Sequence, residues 1–262
     1  MPVLSPVEGK VAAIALNTFK EAVRDRILYA VLVFALVMLA GSTILVTISV
    51  DGEVKIIKDL GLACISIFGL LIATFLGIGL VSKEIEKRTV YTIISKPIDR
   101  YQFILGKYLG LVLTLLANVG VMALGLIGMA YLGEGISSPR LLLAVLFVFL
   151  ELMLVTALAL LFSTFSSPAL SAIFTLSLFV AGHLSGDLRL FAARFGGAVT
   201  KLSAETLYFL LPNLSRLNFK DQAVHGFGFD AGTTALSFSY AIFYIAMLVL
   251  ASMAIFQRRD FK

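Results

Sequence analysis

Charge is scarce in this chain. Of its 262 residues only 14% are Asp, Glu, Lys or Arg, while 60% are hydrophobic. A soluble domain carries about 25% charged residues, so a soluble enzyme is excluded. A disordered chain is excluded as well, because such chains are poor in apolar residues. Cys64 stands alone, which rules out an intrachain disulfide framework and a cysteine-cluster metal site. Two histidines, His183 and His225, are too few and too far apart in sequence to argue for a metal. No G-x-x-x-x-G-K-[ST] loop is present, so the chain cannot itself cradle ATP in the usual way. An H-E-x-x-H pair is also lacking, and His183, Ser185 and Asp187 do not form a triad by closeness in sequence. A net charge of +5 without basic residues interleaved with aromatics gives no case for nucleic acid.

What is there is long apolar sequence. A spanning helix needs about 20 mostly apolar residues. Six stretches qualify: Ile27–Val50, Leu60–Ser82, Tyr108–Leu132, Leu141–Phe165, Pro168–Ser185 and Ala235–Phe256. The first begins too late, and runs too long, to be a cleaved secretory signal. The expected fold is therefore an all-α membrane protein of six transmembrane helices in one domain, residues 1–262. No internal repeat or low-complexity tract divides it.

Basic residues set the orientation. Lys10, Lys20, Arg24 and Arg26 precede the first span. Lys83, Lys87, Arg88, Lys96, Arg100 and Lys107 lie between the second and third, and Arg258, Arg259 and Lys262 follow the last. These are thirteen of the 21 basic residues, and the positive-inside rule places them in the cytoplasm. Both termini are then cytoplasmic. Lys55, Lys58 and Arg140 fall in short external loops. Segment 186–234 is external too, despite its five basic residues.

Three segments outside the spans are informative. In residues 10–26, Val11, Ile14, Ala15, Phe19, Ala22 and Val23 recur at helical spacing opposite a charged face. That pattern predicts an amphipathic helix lying in the plane of the membrane interface. Segment 83–107 starts as a charged extension of the second span. Val90, Ile93 and Ile94 form a small apolar face there, and Pro97 stops the helix. A short new helix is expected near Asp99, which can cap it. Charge of both signs beside exposed apolar residues is what a docking surface for a cytoplasmic partner needs. In segment 186–234 we expect short helices on the outer membrane surface, with Ser203 as a cap, Pro212 as a stop, and turns at Gly226, Gly228 and Gly232.

Glu151 stands near the middle of the fourth span. An ionised carboxylate at that depth costs about 2.5–3.5 kcal/mol on the insertion scale. It must face the bundle interior, a water-filled path or a second copy, or else hold a proton. Glu151 is accordingly the candidate for the translocation path or its gate. Gly77-Ile78-Gly79 and Gly106-x-x-x-Gly110 are expected to allow close helix approach.

The run Glu84-x-Glu86-x-x-Thr89…Ile94-Ser95-Lys96-Pro97-Ile98-x-Arg100…Leu105-Gly106-Lys107 resembles the cytoplasmic coupling segment of type-2 ABC transporter permeases. The likeness extends over nearly the whole chain. It includes Thr18-Phe19-Lys20-Glu21-Ala22-x-Arg24-Asp25-Arg26 and the terminal Arg258-Arg259-Asp260-Phe261. Many permeases have Gly where Arg88 stands here. Leu211-Pro212-Asn213-Leu214…Asn218-Phe219…Asp221…His225-Gly226 is similar to the branch described as multicopper-enzyme maturation permeases. The resemblance implies a transmembrane subunit of an ATP-driven exporter in the inner membrane of a prokaryote, with no enzymatic activity of its own. A separate cytoplasmic ATPase subunit would bind ATP and Mg, so this chain needs no cofactor or metal. Two permeases would pair in membrane lipid, and an external accessory protein is a further candidate partner. Docking to the ATPase would fall to Glu84, Glu86, Arg88, Thr89, Tyr91, Pro97, Asp99 and Arg100. Two other classes stay open: an ion-coupled secondary transporter using Glu151, and a membrane anchor for a cytoplasmic protein.

Overall fold

A computed structural model describes residues 6–46, 53–86, 99–134, 139–195, 197–225 and 228–258. Among these every regular element is helical. In chain order they are α1 (Pro6–Val23), α2 (Arg26–Val46), α3 (Glu53–Glu86), α4 (Arg100–Glu134), α5 (Pro139–Ser163), α6 (Pro168–Phe195), α7 (Ala198–Leu210), α8 (Lys220–His225) and α9 (Ala231–Arg258). A 3-10 turn at Leu214–Leu217 precedes α8.

Local sequence explains the boundaries. Helices α5 and α6 open on Pro139 and Pro168, whose missing N–H and fixed φ suit a first helical position. Helix α7 ends two residues before Pro212, where the chain must leave the helical region. Asp230 caps α9, its Oδ2 accepting from Thr233 N–H at 2.8 Å and Thr233 Oγ1 at 2.6 Å.

Helices α3, α4, α5, α6 and α9 are long and apolar enough to cross a membrane. The expected first span coincides with α2, but its described apolar stretch, Leu28–Gly41, is shorter. Residues 47–50 lie outside the described residues. Lys55 and Lys58, expected in a loop, belong instead to the opening turns of α3.

Helix α5 is apolar on all sides and sits at the centre, packed against α3, α4, α6, α8 and α9. Such a helix belongs in a core. Its residues Leu152, Leu154, Val155, Ala157, Ala159 and Leu160 are wholly buried. Outward faces are apolar as well: Leu124 on α4, Leu236 and Phe243 on α9, and Phe195 on α6 are each more than 70% exposed. Lipid is the solvent such a surface requires. Hydroxyls in the bundle bond back to their own helix, as Thr114 does to the Gly110 carbonyl, Thr156 to Leu152 and Ser252 to Leu248. That satisfies them where water is lacking.

The glycine expectations separate by position. A Cβ on Gly110 would lie 2.6 Å from both the Ala15 carbonyl oxygen and Thr18 Cβ, and one on Gly106 would lie 2.7 Å from Ile14 Cβ. Helix α1 therefore lies directly on the backbone of α4. Its stripe is buried there: Val11, Ala15, Thr18 and Ala22 are covered, while Lys20, Glu21 and Arg24 are exposed. Gly77 faces Ala159, whereas Gly79 faces open space.

Segment 186–234 differs most from expectation. Helix α6 runs on to Phe195. Ser203 is inside α7, not at its cap, and its hydroxyl bonds back to the Thr200 carbonyl at 3.1 Å. The part from Pro212 to Val224 does not rest on the outer surface. Leu214, Leu217, Phe219, Ala223 and Val224 are buried in the bundle. Phe219 stacks on Phe147 of α5 with ring centroids 4.1 Å apart. Gly182 of α6 makes room for the segment, because a Cβ there would lie 2.6 Å from the Pro212 carbonyl oxygen. Apolar side chains outweigh the cost of re-entry, and the polar backbone is paired locally: Tyr240 Oη accepts from Asn213 N–H at 2.8 Å.

Candidate functional site

Two places bear on function. One is the end of the bundle where α3 stops and α4 starts. Glu84 and Glu86 occupy the last turn of α3, their side chains being outside the described residues, as are Arg88, Thr89, Tyr91 and Pro97. The described residues continue from Asp99. Gln102 donates from Nε2 to Asp99 Oδ2 at 3.1 Å and accepts from Asp99 N–H at 3.3 Å. The second bond is the returning half of a capping box; the expected bond from the Asp99 carboxylate to a following backbone N–H is replaced by one to the Gln102 side-chain amide. The helix it starts is not short. Helix α4 continues unbroken for 35 residues into the expected third span. Arg100 Nη1 donates to the Gln257 carbonyl at 3.0 Å and to the Phe256 carbonyl at 3.5 Å. A guanidinium on the last carbonyls of a helix complements both its orphan acceptors and its dipole. Two turns further along, Lys107 is buried, with Nζ 3.6 Å from Glu21 Oε2 of α1 and 5.8 Å from the Phe103 ring centroid. The end of α1, the opening turns of α4 and the end of α9 are thus fastened together.

The other place is Glu151. Its side chain is wholly buried in α5 and faces the bundle interior. His183 of α6 brings Nε2 to 3.2 Å from Glu151 Oε1. The other ring nitrogen, Nδ1, is 3.2 Å from the Phe179 carbonyl. A carbonyl only accepts, so Nδ1 carries the hydrogen. Neither carboxyl oxygen of Glu151 receives a hydrogen bond from a described residue. Two ionisable side chains from adjacent helices thus meet inside the bundle. Among the described residues no group of three or more His, Cys, Asp or Glu side chains is arranged to hold a metal.

A family model described as ABC-2 family transporter protein matches residues 12–261. The chain belongs to the ABC-2 transporter family. No curated protein matches it. Membership and the five apolar helices together make it a membrane protein of the ABC transporter permease kind.

In this ABC-2 protein the candidate docking residues do not all stand alike. Asp99 and Arg100 are engaged within the chain, as a helix cap and as a tie to α9. Glu84 and Glu86 end a helix. Sequence reasoning found Glu151 but missed His183 as its neighbour. A depth count shows it. Glu151 lies twelve residues before the end of α5 and His183 fifteen after the start of α6. At 1.5 Å per residue those are about 18 and 22 Å from the shared turn. The two side chains therefore sit at nearly the same level of adjacent helices.

Proposed function

We propose that the chain is the transmembrane subunit of an ATP-driven exporter in the cytoplasmic membrane of a prokaryote, with six spans and both termini in the cytoplasm. The observation that carries this is the family match over residues 12–261 together with a sequence that has no phosphate loop of its own. Energy must then come from a partner. A separate cytoplasmic ATPase subunit holds ATP and Mg, and a second permease copy completes the pathway. Segment 87–98, between the end of α3 and the start of α4, docks that ATPase. Glu84, Glu86, Arg88, Thr89, Tyr91 and Pro97 supply ion pairs and apolar contacts to it. Asp99 and Arg100 hold the segment's far end in place. Helix α1 runs along the cytoplasmic interface, and Glu151 lies beside the transport path as part of its gate.

The test is affinity purification of the chain in mild detergent, followed by identification of what accompanies it. A soluble protein with a phosphate loop and ATPase activity is expected. Replacing Glu84 and Glu86 with Ala should release that protein and leave the melting temperature of the permease unchanged. Failure to recover any ATPase, even after crosslinking in native membranes, would refute the ATP-driven assignment. Transport that survives ATP depletion would point to an ion-coupled carrier working through Glu151. Recovery of a cytoplasmic protein without ATPase activity would point to a membrane anchor.

A further inference from the structure

We propose that the first half of α5 holds one two-chain phospholipid, with an acyl chain in the groove on each side of that helix and the phosphate at Arg140. The inference rests on the chain being a membrane protein, not on the ATP-driven assignment.

Helix α5 is enclosed only in its second half, where Leu154 to Leu160 are all buried. Its opening turns come to the surface, and there Leu142 is 61% and Leu146 44% exposed. A groove flanks them on each side. The one between α5 and α4 has a volume of about 550 Å³ and is lined by Val119, Gly120 and Phe149 among others. The one between α5 and α9 has a volume of about 640 Å³, with Phe147, Phe229 and Phe238 in its walls. Both volumes lie in the range of ligand pockets, roughly 300–1,000 Å³. Pro139, Leu143 and Leu146 line both grooves, so α5 is the ridge between two troughs. Gly120 keeps the first trough open, because a Cβ there would meet nothing within 4 Å.

Length selects the occupant. The first groove follows α4 from Leu116 to Ile127 and α5 from Pro139 to Phe149. At 1.5 Å per residue these paths are about 16 and 15 Å. The second follows α5 from Pro139 to Phe147 and α9 from Ala231 to Ser239, about 12 Å along each helix. One leaflet is half of a hydrocarbon core about 30 Å thick, or about 15 Å. Each groove is therefore as long as one leaflet is deep. An acyl chain has that reach, and two chains joined at one end fit two troughs that share Pro139. A spanning helix, from a partner or a second copy, needs a seat through both leaflets.

Charge stands at the shared end. Arg140 follows Pro139 and lines the second groove. A guanidinium binds a phosphate through paired, charge-assisted bonds. Asp230, beside the lining residues Phe229 and Ala231, spends its Oδ2 on the hydroxyl and N–H of Thr233. With both termini in the cytoplasm this end of the bundle is external, and the lipid belongs to the outer leaflet.

The test is native mass spectrometry of the full chain released from detergent micelles. Dipalmitoyl phosphatidylglycerol is the probe, and its one-chain lyso form is the comparison. Wild type should retain one two-chain lipid per chain. Arg140→Gln should weaken retention roughly tenfold, as loss of a charged hydrogen-bonding group implies. Gly120→Leu extends into open space, so it should melt no lower than wild type. It should lose the two-chain lipid and keep the lyso form. Met247→Phe is the control, on the exposed face of α9 outside both grooves, and should bind as wild type does. Unchanged two-chain retention in Gly120→Leu, or equal loss in Met247→Phe, would overturn the site. Unchanged retention in Arg140→Gln would overturn the seat of the phosphate. A wild type that holds no lipid, while Gly120→Leu splits a pair of chains, would make the grooves an interface between copies and overturn the lipid site.

Discussion

Gly110→Ala should loosen the hold of α1 on α4. The new Cβ would lie 2.6 Å from the Ala15 carbonyl oxygen and 2.6 Å from Thr18 Cβ, whereas ordinary contact begins at 3.4 Å. Neither atom is the far end of a flexible side chain. Helix α1 must therefore move away by most of an ångström, along with Val11, Ala15 and Ala22. Overpacking of this kind costs about 1–3 kcal/mol. Alanine returns up to about 1 kcal/mol by its better helix propensity. The net loss is about 1–2 kcal/mol, or roughly 2–8 °C in melting temperature for a chain of this size. Tryptophan is absent, but the single Cys64 is half-buried on α3. Its reaction with a fluorogenic thiol reagent during heating reports unfolding directly. Gly128→Ala is the control, because a Cβ there meets nothing within 4 Å. It should melt at or slightly above the wild-type temperature. If Gly110→Ala melts together with wild type and Gly128→Ala, the close seating of α1 on this glycine is refuted.

Arg100→Ala removes two bonds to the end of α9. It should cost about 1 kcal/mol, less than a buried charged bond because the site is partly wet, and speed exchange of the last turn of α9. Unchanged exchange there would put Arg100 outside the fold's fastenings and leave it free for docking. Gly182→Ala aims a methyl at the Pro212 carbonyl, so limited proteolysis should cut residues 212–225 faster than in wild type. Equal cutting would contradict the re-entry of that segment. Hydrogen bonds from the Thr233 hydroxyl and N–H hold the Asp230 carboxyl below its ordinary value of 3.8. Its cap on α9 is thus fully formed above that value and is lost as pH falls through the lower, folded one. Protection of the first turn of α9 should fall with acid in wild type. In Asp230→Ala it should be low at every pH, and a matching acid dependence in that variant would refute the cap.

Membrane helices were legible in the sequence because their signal is local. An apolar run either is or is not long enough, and α3, α4, α5, α6 and α9 declare themselves in that way. The helix start at Asp99 and the seam at Gly106 and Gly110 were legible for the same reason: each needs only a few neighbouring residues. Re-entry of Pro212–Val224 was not. Leu214, Leu217, Phe219 and Val224 fit no sustained period, and their burial depends on the gap that Gly182 leaves in another helix. Arg100 shows a related difficulty. A basic residue at the membrane edge reads as a surface group for a partner, yet its acceptors are carbonyls 156 and 157 residues later. Glu151 was visible as a charge in the wrong solvent. That His183 would meet it was a property of the packing.

The tie between Arg100 and the end of α9 also sets an order of events during synthesis. Its acceptors leave the ribosome 156 and 157 residues after Arg100 itself. At roughly 5–20 residues per second the delay is about 8–30 s. The landing strip for α1 on α4 appears much sooner, once Gly106 and Gly110 have been made. A nascent chain thus spends most of its insertion time with its front end already seated and its rear clasp unmade. Quality-control proteases that sample the membrane in that interval meet an exposed guanidinium at the start of α4. Insertion of the last helix is what removes it.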